Sequence, residues 1–233
     1  MRTTNRKLMF AAAGALALVA VGAFAAVYLT MFNPKPVAVV SLPSPAATPV
    51  AGALVGSWKV SSGSFVGYRV REQLAQLPAP SDAVGRTSAV TGSASVATNA
   101  DGTASITSIQ VSADLSQLAS DSGRRDNFVR NNSLNTSQFP QATFASAASF
   151  SVPAAVVSGT AGSATVTGKL TVHGVAKDVS IPLKIQRSGT SVNVVGSYQF
   201  HWGDFGVQQP SVPVASVQGD PTIEISLVLT TGA

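Results

Sequence analysis

Three stretches in the C-terminal quarter of the chain alternate apolar and polar residues with a period of two. Over 178–187 the apolar set is Val179, Ile181, Leu183 and Ile185. Over 190–203 Val192, Val194, Tyr198, Phe200 and Trp202 share one face, while Ser191, Asn193, Ser197, Gln199 and His201 share the other. Over 222–230 Ile223, Ile225, Leu227 and Leu229 alternate with Thr222, Glu224, Ser226 and Thr230. Side chains leave a strand on opposite faces in turn, so this pattern specifies antiparallel strands with one face buried and one wet. A helix cannot present such a set on one side.

Less regular strands fit 57–62, 64–72, 86–98, 103–112, 142–151 and 163–173. The breaks between them carry turn residues: Asn99 to Gly102, His173-Gly174, Ser188-Gly189 and Gly219-Asp220-Pro221. Residues 121–132 lack alternation and suit a short helix or turn. Eight or nine strands with one helical interruption indicate an all-β, antiparallel barrel or sandwich. Closure into a barrel of about eight strands is favoured, because it leaves no exposed edge.

The N-terminal part has a different pattern. Residues 8–32 carry no charge and are almost wholly apolar, preceded by Arg2, Arg6 and Lys7. As a helix this run would rise roughly 37 Å, enough to cross a hydrocarbon core of about 30 Å with some tilt. The flanking charges orient it N-terminus inside. Ala23-Phe24-Ala25 also fits a signal-peptidase site, so two addresses are open: a single-pass membrane protein with an extracytoplasmic domain, or a periplasmic or secreted one after cleavage near Ala25. The run continues through Val27, Leu29 and Phe32, which favours the retained anchor. Five prolines within 33–53 mark an extended, semi-rigid spacer. The expected organisation is therefore an anchor or signal over 1–32, a Pro/Ala-rich linker over 33–53 and a β-domain over 54–233.

Several functions are disfavoured by what the chain lacks. With no cysteine, a disulfide framework, a thiol nucleophile and a Cys-ligated metal are excluded. The net charge of +5 falls to +2 once Arg2, Arg6 and Lys7 are set aside, and no stretch interleaves basic and aromatic residues; nucleic acid is not an expected partner. The two histidines, His173 and His201, read as a turn residue and a surface residue. No G-x-S-x-G, H-E-x-x-H or phosphate-cradling glycine loop occurs. Neither an enzyme, a metal nor a cofactor is expected; a weak catalytic reading would require Asp204, His201 and His173 to converge. Arg124-Arg125-Asp126 is the densest charge cluster of the body, either structural or set at a cavity mouth to meet an anionic head group.

Several segments together resemble the YceI-like family of bacterial envelope proteins. They are Trp58-Lys59-Val60 with Ser64 to Val70, Arg125 to Phe128 followed by Phe139 to Phe144, Gly168 to Lys177, and Asp204 to Val207. Many members end the second strand in a histidine, which this chain lacks. The resemblance implies a lipocalin-like barrel whose apolar interior accepts an isoprenoid quinone or polyisoprenoid (phosphate). On that reading Val66, Tyr68, Val70, Phe144, Leu170, Ile181, Tyr198, Phe200 and Trp202 line the interior, and Arg124 and Arg125 meet the head group. The alternative is a filled barrel acting as a structural or stress-related envelope module. The expected partners are an isoprenoid-type lipid and, through the N-terminal helix, a membrane; a homodimer is left open.

Overall fold

The computed structural model describes residues 36–44, 54–75, 79–212 and 215–231. The apolar run at 8–32 and its cleavage motif lie outside the described residues, and no helix among those described is long and apolar enough to cross a membrane.

Among the described residues twelve strands alternate with short helical turns. They are β1 (Gly56–Val60), β2 (Phe65–Leu74), β3 (Ser81–Thr87), β4 (Val90–Thr98), β5 (Ala104–Asp114), β6 (Gln141–Ser146), β7 (Phe150–Ser151), β8 (Gly162–Val172), β9 (Val175–Ser188), β10 (Ser191–Gln199), β11 (Ser211–Val212) and β12 (Ala215–Thr231). Helix α1 (Gly123–Phe128) runs on into a π-turn at Val129–Ser133, and α2 (Ala154–Val157) is a single turn. All ladders are antiparallel, in the order β1-β4-β5-β6-β8-β9-β10-β12, and β1 pairs back onto β12. Because β1 and β2 follow one another along β12, and β3 leads into β4, the wall has eight strand positions. This is the closed, eight-position antiparallel barrel that the alternation predicts.

The hairpins follow the turn chemistry. His173 and Gly174 both have positive φ (52° and 74°), the two-residue turn whose twist matches its flanking strands. At Gly219-Asp220-Pro221 the expected turn is absent. β12 runs through it with a register shift between Gln218 and Thr222, and Gly219 takes φ +71°. A glycine in this conformation absorbs a β-bulge that bends the strand without ending it. The sequence reading also passes over β3: Ser81–Thr87 has little apolar alternation because its inner face carries Ala83 and Gly85. A Cβ on Gly85 would stand 2.4 Å from the Tyr68 ring, so the missing side chain is the space that the tyrosine occupies.

Two apolar clusters pack toward the two ends of the barrel. One gathers Trp58, Val156, Ile185, Val192, Val194, Leu227 and Leu229 near α2. The other gathers Leu170, Val172, Val179, Ile181, Phe205 and Val207 beside the 3₁₀ turn Trp202–Phe205.

Glu224 departs from the pattern. Its place in the alternation predicts a wet face, yet it is 1% exposed. Arg69 Nε donates to it at 2.6 Å and Arg86 Nη2 at 2.9 Å, while Asp82 holds Arg69 at 3.0 Å from the other side. Burial works against the Arg69 charge, but the hydrogen bonds to Glu224 and Asp82 outweigh it and hold its pKa above the ordinary arginine range. Arg86 also lies over the Phe65 ring, 4.5 Å from its centroid. Residues 36–44, part of the proline-rich linker, form neither helix nor strand and lie over this cluster. Arg69 Nη2 donates to the carbonyls of Val37 (3.0 Å) and Ala38 (3.1 Å), and Arg86 Nη2 donates to Ala38 (3.1 Å).

Removing one partner from a buried charge cluster leaves the others unpaired, so Glu224→Ala should destabilise the domain by about 3 kcal/mol, measured by urea denaturation at neutral pH. Gly85→Ala forces the Tyr68 ring aside; a loss of about 1–3 kcal/mol in the same assay is expected for such overpacking.

Candidate functional site

Within the wall the inner face is apolar on nearly every strand, and the two end clusters are joined only along β9 and β12, through the partly buried Leu183 and Ile225. Between them lies a cavity of about 1030 Å³. Toward the β4–β5 end it is walled by Leu54, Trp58, Val96, Ile106, Phe150 and Val156. Side chains too short to meet across an eight-position barrel leave it hollow, the geometry of small barrels that hold a ligand. The filled-barrel alternative therefore does not describe this interior.

Ten of the eleven residues expected at the site line this cavity: Val66, Tyr68, Val70, Phe144, Leu170, Ile181, Phe200, Trp202, Arg124 and Arg125. Tyr198 is the exception. The β9–β10 ladder stops at Gly196, and Tyr198 beyond it lies half-buried against the Leu170–Phe205 cluster instead. Phe200 meets Phe205 edge-to-face with centroids 5.2 Å apart, and Trp202 Nε1 donates to the Gly219 carbonyl at 3.0 Å. The bulge in β12 thus fixes an aromatic section of the rim.

The polar groups gather at one end, where β2, β3, α1 and the start of β12 meet. Val66, Tyr68, Val70 and Glu72 occupy successive inward positions on β2, so Glu72 enters the cavity by the same alternation that places the others. Continuing that count two residues past Val70 would have found it. Glu72 is 6% exposed and accepts a hydrogen bond from Arg125 Nη2. Arg125 also bonds Asp121 at 2.5 Å. Ser122 caps α1 by accepting from the Arg125 backbone N–H, which fixes the direction in which this arginine leaves the helix. Burial works against the Arg125 charge, but the hydrogen bond to Asp121 and the charge of Glu72 outweigh it and raise its pKa. Asp126, buried, accepts from the backbone N–H and hydroxyl of Ser120 at 2.9 and 2.6 Å, tying α1 to the loop before it.

Tyr68 has its phenol held well above the ordinary range. Burial is the largest cause; Arg125 opposes it, and Asp126, Glu72 and Asp121 add to it. The hydroxyl is therefore a neutral donor throughout the physiological range. Arg124 is exposed at the rim, and no ion pair of it is found among the described residues.

The remaining polar candidates lie outside this corner. His201 pairs with Asp220 at 2.8 Å, and the His173 ring faces the Phe205 carbonyl at 3.2 Å. Asp204 accepts from the His201 backbone N–H at 2.9 Å. His201 and Asp204 belong to the turn after β10 and His173 to the β8–β9 hairpin; each has other partners and none lines the cavity. Among the described residues no group of three His, Cys, Asp or Glu side chains could hold a metal ion.

This architecture has known counterparts. A polyisoprenoid binding domain from Saccharophagus degradans, implicated in plant cell wall breakdown, superposes with a TM-score of 0.57 at 17% identity, covering 76% of this chain and 99% of that one. Burkholderia cenocepacia BcnA gives 0.52 at 20% identity, covering 72% and 98%. No curated protein matches the chain in sequence. The family model for the YceI-like domain matches residues 58–229, from the Trp-led first strand almost to the end of β12. The chain belongs to the YceI-like family.

Proposed function

We propose that this protein is a carrier for an isoprenoid-type lipid with a neutral head group, such as an isoprenoid quinone, acting outside the cytoplasmic membrane. The observation that carries this reading is the long apolar cavity with a single polar corner. At roughly 30 Å³ per heavy atom, the share of a water molecule in the liquid, 1030 Å³ holds on the order of 30 carbons. Each buried CH₂ contributes about 0.8 kcal/mol, so the chain supplies the affinity and the corner needs only to orient the head. The polyisoprenoid binding of the Saccharophagus degradans domain supports the same ligand class.

The corner favours a neutral head over a phosphate. Around Tyr68 Arg125 stands among three carboxylates, Glu72, Asp121 and Asp126, and Arg124 lies at the rim of the cavity. Arg125 is already held by Glu72 and Asp121. A phosphate entering here meets no net positive charge, whereas the Tyr68 hydroxyl can donate to a carbonyl or hydroxyl oxygen. The extracytoplasmic address rests on the uncharged run at 8–32 and the basic residues before it.

Purified protein equilibrated with a polyprenyl quinone and a polyprenyl phosphate of matched chain length, then extracted for mass spectrometry, should retain the quinone preferentially. Retention of neither lipid would sink the carrier reading; preference for the phosphate would overturn the head-group assignment. Loss of one hydrogen bond in Tyr68→Phe should weaken quinone binding about 2- to 10-fold.

A further inference from the structure

The linker meets the barrel at the cavity entrance. Val37 belongs to no strand and is held on the outer wall through its carbonyl, yet it lines the cavity together with Leu74, Ser81 and Asp82 at the β2–β3 end. A residue outside the wall can line an interior only where the wall opens. Among the described residues the opposite end is plugged by Leu54, Val152 and α2, with Val156 only 1% exposed.

We propose that this docked segment fixes the orientation of the barrel, presenting the entrance to the lipid bilayer so that the ligand passes between membrane and cavity without crossing water. The inference rests on the carrier reading and on residues 8–32 serving as a retained anchor. Its warrant is a matter of chain length. A free 33–53 spacer of 21 residues, extended, would let the domain stand about 70 Å from the membrane and turn in any direction. With Val37 and Ala38 fastened by Arg69 and Arg86, only five steps separate Phe32 from Val37, a reach of about 17 Å. The β2–β3 end is then kept close to the interface, and the β4–β5 turn at the opposite end of the wall lies farther from it. Because the contacts are made to backbone carbonyls, the linker side chains are free to vary and the two arginines carry the geometry. Asp82 and Glu224 hold those arginines in place from beneath.

The chain contains no cysteine, so single labels can be placed at will. The full chain is reconstituted into phosphatidylcholine vesicles carrying nitroxide head groups, with a fluorophore on Ala75→Cys in the exposed β2–β3 connection or on Asp101→Cys in the exposed β4–β5 turn. The Ala75 label should lose most of its fluorescence and the Asp101 label none. A long Gly-Ser insertion after Pro34 leaves the dock intact but lengthens the tether, and should abolish the difference. Equal or reversed quenching in the uninserted chain overturns the inference, as does recovery of a chain lacking residues 1–32. Lipid extraction from the same samples separates the two readings: retained isoprenoid with no positional contrast sinks the orientation alone. Positional contrast with no retained isoprenoid upholds the orientation of the barrel and sinks the carrier.

Discussion

The barrel is closed along one seam, where β12 meets β1 and β2. β12 is the longest strand, and it alone pairs with β10 on one side and with both halves of the first strand position on the other. An open eight-strand sheet would expose two unpaired edges and could not separate an interior from solvent. Glu224 stands at the middle of this seam, opposite Gly67, and the two arginines that grip it come from the next two strands, β2 and β3. A charge-assisted clasp on the outside of the wall therefore reinforces the ladder that encloses the apolar inside. The opposite face of the same residues carries Val66, Tyr68 and Val70, so wall integrity and site geometry are set by alternate positions of one strand.

A hollow interior lowers the stability that a domain of this size could reach. Apolar side chains facing a void forgo the dispersion contacts that a packed core supplies. The two end clusters supply the permanent core, and a bound hydrocarbon chain would supply the missing contacts in the middle. Binding and folding are then linked: any ligand that occupies only the folded barrel shifts the equilibrium toward it.

Much of this was legible in the sequence, and the exceptions have physical causes. Period-two alternation at 178–230 predicts the strands that form β9, β10 and β12, and eight of the nine proposed lining residues border the cavity, as do the two arginines proposed for the head group. β3 escaped because its inner face is kept small to admit Tyr68, so the apolar signal of a strand is absent where the partner side chain fills the space. Glu72 and Glu224 were hidden for another reason. A carboxylate in an alternating strand reads as solvent-facing until its arginine partners are known, and Arg125 lies 53 residues from Glu72, Arg69 155 residues from Glu224. Tyr198 failed as a lining residue because alternation says which face a side chain takes, not where the ladder beside it ends.

The bulge at Gly219 divides β12 into two parts that can change independently. Below it, the register with β10 and β2 cannot slip without turning every inward side chain outward. Above it, the strand pairs with β2 from Ala215 to Gln218 and, with the 3₁₀ turn at Trp202–Phe205, forms a collar; that turn is tied to the bulge by Phe200 N–H to the Pro221 carbonyl at 3.1 Å and Trp202 Nε1–H to the Gly219 carbonyl at 3.0 Å. A lineage can thus retune the opening of the barrel by insertions and substitutions in the collar while the vessel below keeps its shape.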